Sequence, residues 1–487
     1  MALLPSSLVF ALHIVIAVAL TFRLLYRKLA VSTTLGWIII LFALPYIGIF
    51  FYFLFGDHRM GRKRLHQSAW VRNFYQKRYG IDDDVDTAGK LDVSDAFRAL
   101  SDSIAADSGF HVTHNNRVEL IEKAEEILDR IVADIDAATS TCYLEFYIVE
   151  PEGRVTAIME ALVRASKRGV DCNLLADHFG SKALFRSSWL QRLRQAGVDV
   201  EASLPVGIIK SLSQRTDLRN HRKLIAIDQR IGYVGSFNLI DPQIFKKSKA
   251  IGQWVDIMFR LEGHIVDSLG VVFNADYIFD TVGLEIDRKA LRDLPIDYPG
   301  ETTPGDVALQ LLPSGPEIHD SMIHEWVVSA IFAARRRVSI ITPYFIPDET
   351  LTLALKAAQK RGVQVDIIVP ERIDSRMAQY ASESVFSELL RENIKIMRYQ
   401  DGLLHAKCIL IDDMVSMVGT VNMDTRSFYL NLELTLIAYD RGLNREMDAL
   451  RDRYLANCTP LTLEEWTARP RFRRLQENVL RLAAPLL

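Results

Sequence analysis

The sequence predicts an α/β fold: two α/β repeats forming one pseudo-symmetric unit, preceded by an N-terminal transmembrane helical hairpin. Three observations carry that prediction. The stretch HRKLIAIDQRIGYVGSFN, His221 to Asn238, recurs 184 residues later as HAKCILIDDMVSMVGTVN, His405 to Asn422. A strand, helix, Arg-Gly-Val turn and second strand occur in both halves, with the turns at Arg168–Val170 and Arg361–Val363. Two long apolar stretches come before everything else.

The first stretch, Leu8 to Phe22, is apolar apart from His13, and the second, Leu35 to Phe55, runs 21 residues without a charge. At 1.5 Å per residue the second spans roughly 31 Å, the thickness of a hydrocarbon core. No Lys or Arg precedes the first stretch, which argues against a cleaved signal peptide. Arg59, Arg62, Lys63 and Arg64 follow the pair, against Arg23, Arg27 and Lys28 between its members. That bias places the chain beyond residue 56 in the cytoplasm.

Residues 57–112 read as a polar linker with one short helix, marked by the acidic run Asp82, Asp83, Asp84 and Asp86. The first α/β domain is 113–297: a helix from Arg117 to Ala138, the strand TCYLEFYIV, a helix from Arg154 to Lys167, and the strand DCNLLAD. The second, 298–470, repeats that order with VSIITPYFI, a helix from Glu349 to Lys360, and QVDIIVP. The Pro- and Gly-bearing stretch Pro295 to Gly305 separates them. The tail, 471–487, mixes Arg471, Arg473, Arg474 and Arg481 with leucines at helical spacing. It suits an anionic interface and a core-packed terminal helix equally.

Of 487 residues, 49% are hydrophobic and 24% charged, as expected of a folded protein with a small membrane segment. A formal net charge of −3 argues against a general nucleic-acid binder, so any anion must be held locally. Cys142, Cys172, Cys408 and Cys458 are widely spaced with no CxxC pair, which supports neither a zinc site nor a disulfide framework. Reduced thiols fit a reducing compartment.

The chemistry lies in the duplicated stretch. An i, i+2 spacing on a strand puts His221 beside Lys223, and His405 beside Lys407, on one face. An imidazole next to a fixed cation is what phosphoryl transfer requires. Asp228 and Asp412 stand seven residues after their histidines, an odd spacing that turns them to the opposite face as strand-end carboxylates. An imidazole in acid-base or nucleophilic work needs its second nitrogen fixed by an acceptor, and Asp256 and Glu433, each in the next apolar segment, are the candidates. Ser236 with Asn238, and Thr420 with Asn422, close the two units. Lys210, Arg215, Arg219, Arg222, Lys246, Lys247 and Lys249 surround the first motif, as a solvated surface or as contacts to an anionic headgroup.

The paired HxKxxxxD and Gly-Ser/Thr-x-Asn motifs resemble the phospholipase D superfamily, in which two such motifs meet at one active site. PYIGIFFYFLFG, QWVDIMFRLEG, PSGP at Pro313–Pro316, ITPYFIP at Ile341–Pro347 and DTRSFYLNLE at Asp424–Glu433 resemble the bacterial cardiolipin synthases over nearly the whole chain. The resemblance implies a catalytic set of His221, Lys223, Asp228, His405, Lys407 and Asp412, with Asp256 and Glu433 orienting the histidines. It also implies that Ser236, Asn238, Thr420 and Asn422 bind the substrate phosphate. It implies phosphatidyl transfer between two phosphatidylglycerol molecules through a phosphatidyl-histidine, with His221 as nucleophile and His405 as acid and base. The near-symmetry of the motifs does not itself assign those roles. No metal or cofactor is expected, since no Asp/Glu cluster has Mg²⁺ or Ca²⁺ spacing. The expected partners are phosphatidylglycerol and other anionic phospholipids in the bacterial inner membrane, with no nucleic acid; a homo-oligomer is compatible with the sequence. A phospholipase D-type hydrolase would use the same residues with water as acceptor.

Overall fold

The computed structural model describes residues 6–27, 31–56, 91–205, 217–245, 251–281, 305–316 and 321–481. The chain forms two compact units, 1–63 with 206–218, and 64–205 with 219–487.

In the smaller unit the helix Ser6–Tyr26 runs 21 residues. It buries Ala17, Leu20 and Leu24 with Leu41 and Tyr52, while Leu8, Phe10, Leu12, Val15 and Phe22 stay exposed. An apolar surface of that size suits lipid rather than water. The expected second spanning helix is broken. It runs from Val31 to Ala43, 13 residues, and resumes from Ile47 to Phe55, nine residues. Pro45 lies in the gap, where its missing N–H and its ring disrupt the preceding turn. Tyr46 takes a positive φ of 63° there. At about 20 Å the 13-residue piece is too short to span a hydrocarbon core. Among the described residues only Ser7–Tyr26 is long and apolar enough to cross a membrane, so the hairpin is seen only in part.

The larger unit is built on one 15-stranded sheet. From its middle outward the first half contributes Thr113–Ile121, Met258–Glu262, Ile231–Gly235, Lys223–Ile227, Thr141–Phe146, Asp171–Asp177 and Asp199–Ser203. The second half runs the other way in the matching order: Val307–Ser314, Glu433–Ala438, Val415–Gly419, Cys408–Ile411, Arg337–Ile341, Gln364–Pro370 and Lys395–Tyr399, with Cys458–Pro460 added at the edge. The halves join where Thr113–Ile121 pairs antiparallel with Val307–Ser314, Thr113 opposite Leu309. Helices cover the outer parts, for example Val155–Lys167 and Glu349–Lys360, whose apolar faces are buried in the two lateral cores. A third core gathers residues of both halves.

Two expectations fail locally. The helix expected from Arg117 begins at Ala124, and Thr113–Ile121 is instead the central strand, since THNNRVELI is held by pairing on both edges. The stretch 91–112 is no tether: the helix Asp95–Ser108 buries Phe97 and Ile104, and Leu91, Val93 and Val112 join the same second-half core. The remainder of the expected linker, 57–90, lies outside the described residues, as do the cations at 210, 215, 246, 247 and 249, residues 295–304 of the expected domain boundary, and the tail beyond 481.

Candidate active site

Both motif histidines are held by the opposite half of the molecule. Asn220, just before His221, bridges in parallel to Leu432, just before Glu433. The two-residue strand Leu403–Leu404, just before His405, pairs in parallel with Trp254–Val255, just before Asp256. The amide of His221 donates to the Leu432 carbonyl at 2.8 Å and that of His405 to the Val255 carbonyl at 2.7 Å. Each histidine therefore sits level with an acid from the other repeat. The Nδ1 of His221 lies 2.8 Å from Glu433 Oε2, and the Nδ1 of His405 lies 2.6 Å from Asp256 Oδ1. With Nδ1 engaged by a carboxylate, Nε2 of each ring is the nitrogen left for chemistry.

The hydroxyls of Ser236 and Thr420 are committed to those acids. Ser236 Oγ donates to Asp256 Oδ1 at 2.6 Å and accepts from the Ile257 amide at 3.1 Å. Thr420 Oγ1 donates to Glu433 Oε2 at 2.5 Å and accepts from the Leu434 amide at 2.9 Å. The expectation that both hydroxyls face a phosphate is thus corrected: they steady the carboxylates that steady the imidazoles. Gly235 and Gly419 make this approach possible. A Cβ on Gly235 would lie 2.3 Å from the Ile257 carbonyl oxygen, and one on Gly419 2.2 Å from that of Leu434. Asn238 accepts from the Ile148 amide at 3.1 Å, which leaves its Nδ2 buried without a partner among the described residues. The buried Oδ1 of Asn422 is likewise without one.

Lys223 and Lys407 are buried, and neither forms an ion pair with a carboxylate among the described residues. Lys223 Nζ donates to the His221 carbonyl at 2.8 Å, and Lys407 Nζ to the His405 carbonyl at 2.6 Å. Burial, reinforced for Lys223 by the Lys407 charge, lowers their pKa values to about 7 for Lys223 and about 8 for Lys407. Burial also brings both imidazoles down to about 4, against the opposing pull of Glu433 on His221 and Asp256 on His405. Both rings are neutral at neutral pH. The same two acids are held below the usual carboxylate range by their histidine partners, against burial. The two lysines, without a carboxylate ion pair among the described residues, are the cations an anion at the imidazoles would engage.

Asp228 and Asp412 do different work. Asp228 accepts from the backbone amides of Thr139, Ser140 and Thr141, each at 2.8 Å, and from the hydroxyls of Thr139 and Ser140. Asp412 accepts from the amides of Arg335, Arg336 and Arg337. Each ties the end of its motif strand to the turn entering the neighbouring strand, so the catalytic role implied by the motif is corrected to a structural one.

Several residues around the site carry no signal of their own in the sequence. Tyr147 stands edge-on to His221 with ring centroids 4.9 Å apart, and Trp254 lies 4.2 Å from the His405 ring. Arg222, between the motif His and Lys, turns away to ion-pair with buried Asp276, and its Nε donates to the Glu433 carbonyl at 3.1 Å. Asn220 Nδ2 donates to Glu145 at 2.6 Å, and burial raises the Glu145 carboxyl well above the usual range. The only hint was position: a charged residue alternating out of phase with His221 and Lys223 needs a buried partner.

Comparison with known proteins agrees with this geometry. A family model described as "Cardiolipin synthase, PLD-like domain" matches residues 131–249 and 327–454, and one described as "Phospholipase_D-nuclease N-terminal" matches 15–56. Cardiolipin synthase A of Erwinia tasmaniensis is 36% identical over 485 residues, 99% of this chain and 98% of that protein. Its counterpart in Proteus mirabilis is 33% identical over 500 residues, again 99% and 98%. Among solved structures, phosphatidylserine synthase of Haemophilus influenzae Rd KW20 superposes with a TM-score of 0.59 at 15% identity, covering 76% of this chain and 95% of that one, which speaks for the fold alone. With both repeats matched and its full length aligned, this chain belongs to the cardiolipin synthase family of phospholipase D-like proteins.

Proposed function

We propose that the protein is a phosphatidyltransferase that joins two phosphatidylglycerol molecules into cardiolipin and releases glycerol. The observation that carries the reading is the crossed pair of imidazoles, each fixed through Nδ1 by an acid of the other repeat, beside two buried lysines. His221 Nε2 attacks the phosphorus of the first lipid. The bond to the glycerol headgroup breaks, and protonated His405 gives its Nε2 proton to the departing oxygen. His405, now neutral, takes the proton from a hydroxyl of a second phosphatidylglycerol. That oxygen displaces His221, restoring both side chains. Lys223, Lys407 and the Asn238 amide hold the phosphate oxygens. The bound anion offsets the lysine charges and raises the His405 pKa toward the value a proton donor needs.

The nearly full-length similarity to cardiolipin synthases favours a lipid hydroxyl over water as acceptor. The apolar helix Ser6–Tyr26 supports a place in the bacterial inner membrane, and with the cation bias of the sequence it supports a cytoplasmic catalytic unit; the broken segment 31–55 would enter the bilayer without a second straight crossing. Other anionic phospholipids and a homo-oligomer are compatible with this reading. Product analysis with phosphatidylglycerol bilayers tests it. Cardiolipin and glycerol in equal amounts are expected, and their absence from His221→Ala. Phosphatidic acid as the main product would favour the hydrolase instead.

A further inference from the structure

The helix Arg471–Arg481 folds with charge inward. Glu477 is its buried residue, and Arg469 Nη2 donates to it at 3.1 Å. Arg473 reaches Glu383 at 2.7 Å and lies 4.8 Å from the Tyr380 ring. The apolar residues Phe472, Leu475 and Val479, spaced three and four apart on one stripe, are 69%, 58% and 54% exposed. A surface helix of a water-soluble body normally buries such a stripe and exposes its charges. Here the stripe faces outward and Glu477 inward, so the stripe is available to something else.

Charge identifies what. At about 100° per residue Arg471 flanks the stripe, while Arg474 and Arg481 lie further round the helix. All three are exposed, none ion-pairs with a carboxylate among the described residues, and Arg474 donates to the Thr467 and Arg469 carbonyls. A second copy docking through the same face would bring like charges together. An anionic lipid surface would not. We propose that this helix lies in the interface of an anionic phospholipid bilayer, with Phe472, Leu475 and Val479 at the acyl boundary and the three arginines among headgroup phosphates. The helix packs against Arg376–Arg391, whose Ala378 and Ala381 cluster with Trp254, the ring against His405. Docking there seats the lipid surface beside an element of the active site. That consequence rests on the proposed function; the docking itself does not.

The test uses the full chain in vesicles, spin-labelled at Phe472→Cys or Leu475→Cys in a Cys458→Ser background. Accessibility to oxygen and to a water-soluble nickel chelate is compared between phosphatidylcholine vesicles and phosphatidylcholine–phosphatidylglycerol vesicles. The proposal expects oxygen contact to dominate in the anionic vesicles, and to be lost with Arg471→Gln, Arg474→Gln and Arg481→Gln combined. Equal nickel contact in both vesicles overturns it, and so does spin–spin broadening relieved by unlabelled chain, which assigns the face to a second copy. A second arm measures turnover of Leu475→Ser: a several-fold loss on bilayer phosphatidylglycerol and none on monomeric short-chain phosphatidylglycerol is expected, and equal loss on both overturns the proposal. Labels in lipid with no cardiolipin formed would instead sink the proposed function and leave the docking intact.

Discussion

Glu433, from the second repeat, holds the Nδ1 of His221, from the first, at 2.8 Å, and Asp256 returns the arrangement to His405 at 2.6 Å. Neither repeat contains a complete histidine pair. Substituting Glu433→Gln or Asp256→Asn frees a ring to adopt the wrong tautomer and is expected to lower turnover by about 10² to 10⁴. The melting temperature should stay close to that of the parent. In proton NMR each variant should lose one downfield ring N–H resonance, assignable to the histidine of the other repeat.

Asp228→Ala and Asp412→Ala should separate cleanly from those two. Removing the acceptor of three backbone amides is expected to cost about 2–4 kcal/mol of stability, with activity per folded molecule retained. Burial opposes ionisation of Asp228, but the Thr141, Ser140 and Thr139 amides hold its carboxyl below the ordinary value. Its stabilisation is therefore present above about pH 3.9 and disappears as pH falls through the lower folded value. Thermal melts and specific activity on the same preparations check this; a stable, inactive Asp228→Ala would contradict it.

Anion binding should take up protons. In the empty site Lys223 titrates at about 7 and Lys407 at about 8, so at a pH near 9 both are largely neutral. A bound phosphate favours their charged forms and draws protons from solvent. Calorimetric titration of inorganic phosphate in two buffers of different ionisation enthalpy should show uptake near pH 9, carried by the two lysines. The histidines give the acid limb: with folded values of about 4 against an ordinary 6.5, the unfolded chain binds more protons between those values, so stability falls as pH falls through that window.

Chelation by EDTA should leave turnover unchanged, because Lys223 and Lys407 supply the charge a metal would bring. Activity lost to EDTA and restored by one particular cation would contradict this.

Much of the site was legible because its motif is duplicated. The repeated spacing marks the His, Lys and Asp of each motif. The strand of the first motif, however, runs only from Lys223 to Ile227, with His221 before it and Asp228 in the left-handed turn after it (φ 51°), so alternation alone does not fix their faces. The exchange of acids between repeats is a different kind of fact. It depends on Asn220 bridging Leu432 and Leu403 pairing with Trp254, contacts between segments some 150 to 210 residues apart that no local pattern encodes. Ser236 and Thr420 were misread because a hydroxyl after a glycine turn can serve a ligand or a neighbouring carboxylate, and only the close strand approach at Gly235 and Gly419 decides. Pro45 was visible in the sequence and outweighed by the length of the apolar run. The apolar spacing of Phe97 and Ile104 was visible too, beside an acidic stretch that suggested a tether.

The central claim is that His221, oriented by Glu433 from the other repeat, carries the phosphatidyl group. Mass spectrometry of peptides from enzyme quenched within one turnover on phosphatidylglycerol tests it directly, comparing the parent chain with Glu433→Gln and Asp256→Asn. The account predicts a phosphatidyl adduct on His221 in the parent and almost none in Glu433→Gln. In Asp256→Asn it predicts an adduct that forms more slowly but persists, because His405 is impaired as the acid of the first step and as the base that activates the second lipid. An adduct on His405, or one that survives Glu433→Gln and vanishes in Asp256→Asn, would contradict it.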